Sequence, residues 1–286
     1  MIVRVPASSA NLGPGFDALG MALGLWLECG VLGADGDAPP GSRAVEDTHP
    51  TAVAFRLAGG GDARVWVRSP IPMGRGLGFS GAARVAGLVA GLAHEAGPSF
   101  DLAVPATAAD VLARATALEG HADNAAASLL GGVVAVAGGR AVRVPLAFDP
   151  AVVVWVPSST TSTDESRGKL APTVPRGDAV FNVGRTALLV AALAAGDVTA
   201  LRTATEDRLH QDVRLARAEP SRRALAAAVA GGAWCSWLSG SGPTVAALCP
   251  FDESDDLAAH LTATLPETGH TKVLRIDHDG AVVERA

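Results

Sequence analysis

The strictest demand on the fold comes from a glycine-rich stretch in the first third of the chain. Residues 70–83 read PIPMGRGLGFSGAA, follow a predicted strand and run directly into an Ala-rich helical segment. Glycines at 74, 76 and 78 can adopt positive φ and let the backbone approach a ligand closely, and a helix start adds unpaired N–H groups. The stretch therefore predicts a phosphate cradle made of backbone, or else a tight turn.

Two common nucleotide-binding motifs do not fit this loop. Neither Lys169 nor Lys272 follows a glycine-rich loop, and there are no other lysines, so a G-x-x-x-x-G-K-[ST] site is excluded. The glycine spacing is G-x-G-x-G, and the acidic residue about twenty positions on, Glu95, ends a predicted helix rather than a strand. A nicotinamide dehydrogenase is disfavoured.

Composition removes several other classes of protein. Of 286 residues, 49% are hydrophobic, and 29 acidic side chains outnumber 23 basic ones without any basic run, which argues against nucleic acid as the main partner. Apolar stretches such as 186–196 are shorter than a membrane span needs, and residues 1–6 lack the pattern of a secretory signal. We expect a cytoplasmic globular protein. Three widely spaced cysteines, at 29, 235 and 249, are expected to be buried in the core.

Strands and helices alternate irregularly along the chain, which predicts an α+β architecture rather than a solenoid or an eightfold barrel. Strands are predicted at 2–5, 63–68, 133–136, 141–144, 152–156, 233–238, 245–248, 272–276 and 281–284. Helices are predicted at 80–95, 106–118, 124–130, 179–195, 221–229 and 253–263. Polar stretches at 33–50 and 158–178 are predicted to be loops, and a division into domains 1–150 and 151–286 is expected.

Three further segments can carry chemistry. Residues 6–17, PASSANLGPGFD, suit a substrate-lining loop, or a turn in which Asn11 and Asp17 bond their own backbone. Residues 119–124, EGHADN, can offer the Glu119 carboxylate to a metal, or can simply cap a helix with Asp123. Residues 239–244, SGSGPT, can expose backbone N–H groups or form a hairpin turn. Ser80 likewise can cap a helix or reach Mg²⁺.

Taken together and in order, these segments resemble the GHMP family of small-molecule kinases, most closely its homoserine-phosphorylating branch. The resemblance covers almost the whole chain and is carried by PASSANLGPGFDALG, PIPMGRGLGFSGAA, EGHADN, TDESRGKL with DAVFN, DRLHQDVR and LSGSGPT. It implies a two-domain fold with mixed or antiparallel sheets packed against helices, and transfer of phosphate from MgATP to the side-chain hydroxyl of L-homoserine for threonine synthesis. It also implies a homodimer.

The resemblance also implies residue roles. Asn11 and Asp17 would engage the amino-acid substrate, and Asp17 would bind the ammonium group of that substrate. Arg167 and Arg214 would bind the carboxylate of the substrate. Asn124, with His121, would position the reacting hydroxyl, with Thr163 close by. Ser80 and Glu119 would hold Mg²⁺. The nucleotide would contact Pro72, Gly74, Arg75, Gly76, Leu77, Gly78, Phe79, Ser80, Gly81 and Ala82.

The chain departs from the family pattern at two places. Phe79-Ser80-Gly81 stands where Ser-Ser-Ala is usual, so Phe79 is expected to pack under the helix or to narrow the nucleotide pocket. Trp234 and Trp237 replace small residues near the last motif and are expected to fill core space or to reshape the pocket floor. The alternatives to phosphorylation of homoserine are a GHMP kinase for another small hydroxyl compound and a nucleotide-binding homologue without transfer activity.

Overall fold

The computed structural model describes residues 1–33, 38–161, 163–265 and 269–285, and only the backbone of residues 163–165. Its strands form two sheets in which every described pairing is antiparallel. The first sheet contains β1 (Ile2–Ala10), β2 (Leu19–Val31), β3 (Arg43–Ala44), β4 (Val65–Arg68), β5 (Val133–Ala137), β6 (Arg140–Val144) and β11 (Val282–Glu284). The second contains β7 (Ala151–Pro157), β8 (Cys235–Leu238), β9 (Val245–Cys249) and β10 (Gly269–Leu274).

Ten α-helices in the described chain surround these sheets. They are α1 (Pro50–Phe55), α2 (Phe79–Ala96), α3 (Pro105–Glu119), α4 (Asp123–Leu130), α5 (Thr163–Gly168), α6 (Arg176–Ala195), α7 (Leu201–Ala204), α8 (Gln211–Leu215), α9 (Glu219–Ala230) and α10 (Ser254–Thr264). The predicted α+β class and antiparallel sheets packed against helices are confirmed.

Small residues let α2 pack closely against its neighbours. A Cβ on Gly87 would lie 2.2 Å from the Thr51 carbonyl oxygen, and one on Gly91 would lie 2.4 Å from that of Phe55. Helix α2 therefore lies directly against α1 on one side and against β1 on another. This packing fixes the position of α2, whose first turn lines a cavity between the two sheets.

Strand β7 joins the two parts of the hydrophobic core. All seven of its residues are buried, with Val152, Val154 and Val156 facing the main core. The alternate residues, including Val153 and Trp155, pack into a second cluster with α9 and α10. A strand that is buried on both faces is apolar throughout, which is why its sequence shows a continuous hydrophobic run.

Each predicted strand and helix overlaps an observed one, but the predicted loops contain regular structure and one strand was not predicted. The first strand continues to Ala10 through a register shift at Pro6, so residues 6–10 are strand and the predicted loop shrinks to the turn before β2. Strand β2 was not predicted because it contains three glycines and its first five residues are all buried, so that it lacks a regular alternation of apolar and polar residues. The interval 33–50 includes β3, and 158–178 includes α5 and the start of α6.

Sheet membership changes between β6 and β7, close to the expected domain boundary near residue 150, but β11 returns to pair with β1. The division into 1–150 and 151–286 stays a prediction. The three cysteines are buried and unpaired, as expected from their spacing.

Helix α6 is the one helix in the described ranges that is long and apolar enough, by length and composition alone, to cross a bilayer. Of its 18-residue apolar stretch, 22% is buried. It also packs on the globular part of the chain. Leu189 and Leu193 belong to the main core, and Asn182 Nδ2 donates a hydrogen bond to the Pro14 carbonyl at 3.0 Å. These contacts make α6 a surface helix of the fold.

Candidate active site

A cavity of about 320 Å³ lies where the glycine-rich loop, the turn after β1, the α3–α4 junction and the β8–β9 hairpin meet. Sixteen residues singled out from the sequence line it: Asn11, Asp17, Pro72, Gly74, Arg75, Gly76, Leu77, Gly78, Phe79, Ser80, Gly81, Glu119, His121, Asn124, Arg167 and Arg214. Two are not among the lining residues. Ala82 is fully buried inside the first turn of α2, and the side chain of Thr163 lies outside the described part of the chain.

The glycine-rich loop needs its glycines for both conformation and space. Gly74, Gly76 and Gly78 have φ of 65°, 75° and 68°, in the left-handed region that L side chains rarely adopt. A Cβ on Gly76 would lie 2.3 Å from the Ser239 carbonyl oxygen, and one on Gly78 would lie 2.0 Å from Ser8 Oγ. The loop is thus held against both β1 and the β8–β9 hairpin.

The start of α2 presents backbone donors to the cavity. Its cap residue is Gly78, which has no side chain to bond the first N–H groups, and the first turn carries no acidic residue. The Ala82 N–H is bonded to the Gly78 carbonyl at 2.9 Å, so the N–H groups of residues 79–81 precede the helical bonding pattern. Together with the helix dipole, this end favours an anion such as a phosphate group. The alternative of Ser80 as a helix cap is wrong.

A carboxylate lies next to that helix start. Ser80 Oγ donates a hydrogen bond to Glu119 Oε1 at 2.7 Å, and Arg84 forms an ion pair with the same carboxylate. Glu119 ends α3, where Gly120 adopts φ of 79° and turns the chain toward α4. A hydroxyl and a carboxylate oxygen beside a phosphate site are the ligand types that Mg²⁺ takes in proteins, so the pair fits that ion.

His121, Asp123 and Asn124 form a connected polar group beneath the cavity. His121 Nδ1 lies 2.8 Å from Asp123 Oδ1, and this hydrogen bond raises the pKa of His121 against the opposing effect of burial. Asp123 is the first residue of α4 rather than its cap. Its carboxylate also accepts the Asn124 backbone N–H at 2.8 Å, and Ser8 Oγ donates to Asn124 Oδ1 at 2.9 Å. These bonds fix the Asn124 amide at the cavity wall.

The turn after β1 places two polar residues in uncommon backbone conformations. Asn11 and Asp17 have φ of 71° and 56°, and Leu12 between them has 49°. Asn11 Oδ1 accepts the Asp17 N–H at 3.1 Å, and its Nδ2 donates to the Gly240 carbonyl at 3.0 Å. The Asn11 amide therefore joins this turn to the β8–β9 hairpin while still lining the cavity.

Two opposite charges face each other across one end of the cavity. Arg167 Nη1 donates to Asp17 Oδ2 at 2.8 Å, and Arg167 Nη2 bonds the other carboxylate oxygen, so the pair is bidentate. Each side chain is about one third exposed, at 32% for Arg167 and 34% for Asp17. The family resemblance implies that these residues bind opposite ends of an amino acid, and in the structure they bond each other.

A second guanidinium lies beside this pair. Arg214 donates to His210 Nδ1 and to the Gly240 carbonyl, both at 3.0 Å, and His210 Nε2 lies 2.8 Å from the Gly13 carbonyl. His210 is thus neutral, in keeping with the lowering of its pKa by burial. Burial, and then the charge of Arg167, lower the pKa of Arg214 to about 10. An anion in the cavity would relieve the repulsion between the two guanidinium groups.

The unusual aromatic residues have different places. Phe79 is 9% exposed, lines the cavity and makes an edge contact with His49 at 5.9 Å between ring centroids. Trp237 is buried in the core and donates to Ser9 Oγ at 2.9 Å. Trp234 packs against Phe148 at the core edge. The tryptophans fill space away from the cavity, whereas Phe79 forms part of its wall.

The sequence analysis missed several residues that complete the site. Arg84 lies one helical turn after Ser80, a spacing that could have placed it on the same face. The centroid of the Phe16 ring lies 5.4 Å from the guanidinium carbon of Arg167 and 5.3 Å from that of Arg214, so both guanidinium groups contact the ring. Gly240 and Ser241 line the cavity and belong to the 239–244 segment singled out from the sequence, which is also a hairpin turn. Thr161 lines the cavity as well, and no local pattern identifies it.

Comparisons with known proteins agree with this arrangement. Residues 44–132 match the family described as the GHMP kinases N terminal domain, and residues 189–267 match the GHMP kinases C terminal family. The chain is 42% identical over 274 residues to the homoserine kinase of Streptomyces coelicolor, covering 90% of this chain and 87% of that protein. It is 40% identical over 264 residues to the homoserine kinase of Moorella thermoacetica, covering 87% of each.

Solved structures have the same fold. A crystal structure of homoserine kinase from Cytophaga hutchinsonii superposes with a TM-score of 0.82 at 23% identity, covering 99% of this chain and 97% of that one. A putative homoserine kinase from Listeria monocytogenes gives 0.78 at 27% identity, covering 100% and 99%. From the sequence relatives and the fold together, the chain belongs to the GHMP kinase family, among relatives that are homoserine kinases.

Proposed function

We propose that this protein phosphorylates the side-chain hydroxyl of L-homoserine with MgATP, as the names of its relatives say of them. The observation that carries the proposal is one cavity with two complementary ends. A helix start with unpaired N–H groups lies at one end, and a carboxylate paired with the Arg167 guanidinium lies at the other, where Arg214 also lines the cavity. A phosphate chain and an amino-acid zwitterion can thus be bound side by side.

The amino acid would take over charges that the free protein pairs internally. Its ammonium group would bind the Asp17 carboxylate, and its carboxylate would bind Arg167 and Arg214. One internal ion pair is then replaced by contacts to both ends of the ligand, which fixes its orientation because Arg binds carboxylates in a planar, bidentate manner. The side-chain hydroxyl would then point toward Asn124 and His121.

Transfer itself requires alignment more than a strong base. The hydroxyl oxygen forms a bond to the γ-phosphorus as the bond from that phosphorus to the ADP oxygen breaks, and the hydroxyl proton is released to solvent. The glycine loop and the α2 start would hold the phosphates, Asn124 would orient the hydroxyl, and Ser80 with Glu119 would hold Mg²⁺. Bound there, Mg²⁺ would neutralise charge on the phosphate oxygens. We assign no general base.

Phe79 bears on the choice of nucleotide. Its ring occupies the wall where the family pattern has a small hydroxyl residue, beside His49. It removes one polar contact and narrows the approach to the helix start. We infer that the pocket still accepts ATP because Ser80 and the three positive-φ glycines of the loop, Gly74, Gly76 and Gly78, are retained.

A coupled ADP-release assay tests the function. With MgATP we expect turnover with L-homoserine and none with L-serine, L-threonine or mevalonate, because the two charged ends and the reacting hydroxyl must all be reached at once. Turnover with another acceptor alone would indicate a different GHMP kinase. MgATP binding without any turnover would indicate a homologue that has lost transfer.

Arg167→Ala tests the amino-acid end. We expect the KM for homoserine to rise about tenfold or more, since a charged hydrogen-bonding partner is lost, while the KM for ATP stays near its original value. Steady-state kinetics with each substrate varied in turn measures both. Arg140→Ala, on a distant exposed strand, removes the same charge as a control, and normal homoserine kinetics for Arg167→Ala would refute the assignment.

Glu119→Gln tests the metal end. We expect kcat to fall about tenfold or more and the Mg²⁺ concentration for half-maximal rate to rise, because a neutral amide binds a hard cation poorly. A Mg²⁺ titration of the rate measures both effects. Arg84→Ala is the matched control, because it breaks the same ion pair and leaves the carboxylate. Full activity of Glu119→Gln at all Mg²⁺ concentrations would remove the metal role.

We also infer a homodimer in the cytoplasm, the oligomeric state and compartment that the family resemblance implies. Helix α6 supports the dimer because Val180, Val183 and Leu188 are exposed at 66%, 71% and 36% along one face. Burying such a face is the usual reason for its being apolar. Cell fractionation tests the compartment.

Sedimentation equilibrium tests the dimer. We expect the mass of two chains for the original protein and a shift toward one chain for Val183→Glu, which places a charge on the exposed face of α6. Val142→Glu, at another exposed valine on the edge strand β6, is the control. A monomeric original protein would contradict the inference.

A further inference from the structure

A second cavity of about 310 Å³ lies next to the first and shares Thr161, Arg214 and Ser241 with it. Its remaining walls come from the segment around α5, from the chain after α8 and from the β8–β9 hairpin. None of the catalytic or nucleotide-binding roles proposed above uses it. The two cavities therefore meet at Arg214, and the second one has no assigned ligand.

The described lining of this cavity is positively charged. Lys169, Arg214 and Arg217 all contribute to it, and no carboxylate does among the side chains that the structure describes. Arg217 and Arg214 make no ion pair to any described residue. Clustered cations repel one another, and an anion between them would relieve that repulsion.

A buried hydroxyl adds a second, independent sign of a ligand. Ser166 lines the cavity and is 4% exposed, yet its Oγ has no hydrogen-bond partner. Arg214 Nε is also buried without a partner. Buried polar groups are nearly always paired, because an unpaired one costs free energy, so donors left unpaired beside a cavity indicate where a ligand atom fits.

We propose that this second cavity is a binding site for a phosphate dianion, either free phosphate or a phosphate monoester. The guanidinium groups of Arg214 and Arg217 suit a dianion better than a single carboxylate, and hydroxyl donors suit its several oxygens. The volume exceeds that of a phosphate ion and leaves room for an organic substituent.

The shared Arg214 links the two cavities. An anion in the second cavity would attract the guanidinium that the acceptor's carboxylate needs in the first. Phosphate should therefore raise the KM for the acceptor, whereas phosphate bound at the glycine loop would compete with ATP. This consequence rests on the proposed function, but binding to the second cavity does not.

The direct test is a calorimetric titration of the whole protein with inorganic phosphate in the presence of a saturating non-hydrolysable ATP analogue, which blocks the glycine loop. We expect Arg217→Ala to weaken phosphate binding about tenfold or more, the loss typical of a charged partner. Ser166→Ala should weaken it by a smaller factor. Arg140→Ala, which removes the same charge elsewhere, should bind like the original protein.

These variants separate the proposal from loss of fold. Arg217 is exposed, and Ser166 Oγ makes no hydrogen bond, so neither truncation removes a described intramolecular contact of that group. We expect unchanged thermal unfolding and unchanged turnover without phosphate. No phosphate binding by the original protein, or equal binding by Arg217→Ala, would overturn the proposal whether or not the chain phosphorylates homoserine.

The same titration with ethyl phosphate distinguishes the two sources of the ligand. If the Arg217-dependent affinity is higher for the monoester, the site takes a phosphorylated metabolite, such as the product of a kinase reaction. If it is higher for inorganic phosphate, the site responds to free phosphate. If neither affinity depends on Arg217, the proposal is wrong.

Discussion

The close contact of the glycine-rich loop with two other parts of the chain determines the geometry of the site. Gly78 lies against Ser8 on β1, and Gly76 lies against the Ser239 carbonyl in the β8–β9 hairpin, with no space for a Cβ at either position. Ser239 Oγ also donates to the Gly76 carbonyl at 2.5 Å. The loop thus bridges the two sheets, and the start of α2 is aimed into the cavity between them.

The amino-acid end follows a different physical rule. Opposite charges in a partly exposed cavity cannot remain unpaired without cost, so Asp17 and Arg167 bond each other. A zwitterion can replace this bond without leaving a buried charge unpaired. A neutral hydroxyl compound cannot do so, because it would separate the two charges without supplying opposite charges to pair with them. We propose that this ion pair contributes to selectivity for a zwitterionic acceptor.

Local sequence predicted much of the secondary structure for identifiable reasons. Helix α2 is rich in Ala and begins directly after Gly78, and β7 is an unbroken apolar run, so each has a strong local pattern. Strand β2 was missed because it contains glycines where Trp66 and the Asp123 carbonyl approach its backbone too closely for a side chain. Its small residues are there for tertiary packing and do not show the alternation of an ordinary strand.

The sequence by itself determined the fold class, the family and most residues of the candidate site, because these depend on motifs whose spacing is local. Gly74, Gly76 and Gly78 must be glycine wherever a loop of this conformation occurs. Only the tertiary structure decided that Arg84 shares the Glu119 carboxylate, that two guanidinium groups contact the Phe16 ring, and that Arg214 lines two cavities. Those contacts join residues distant in the chain, and their energies depend on burial and on neighbouring charges, which no local spacing encodes.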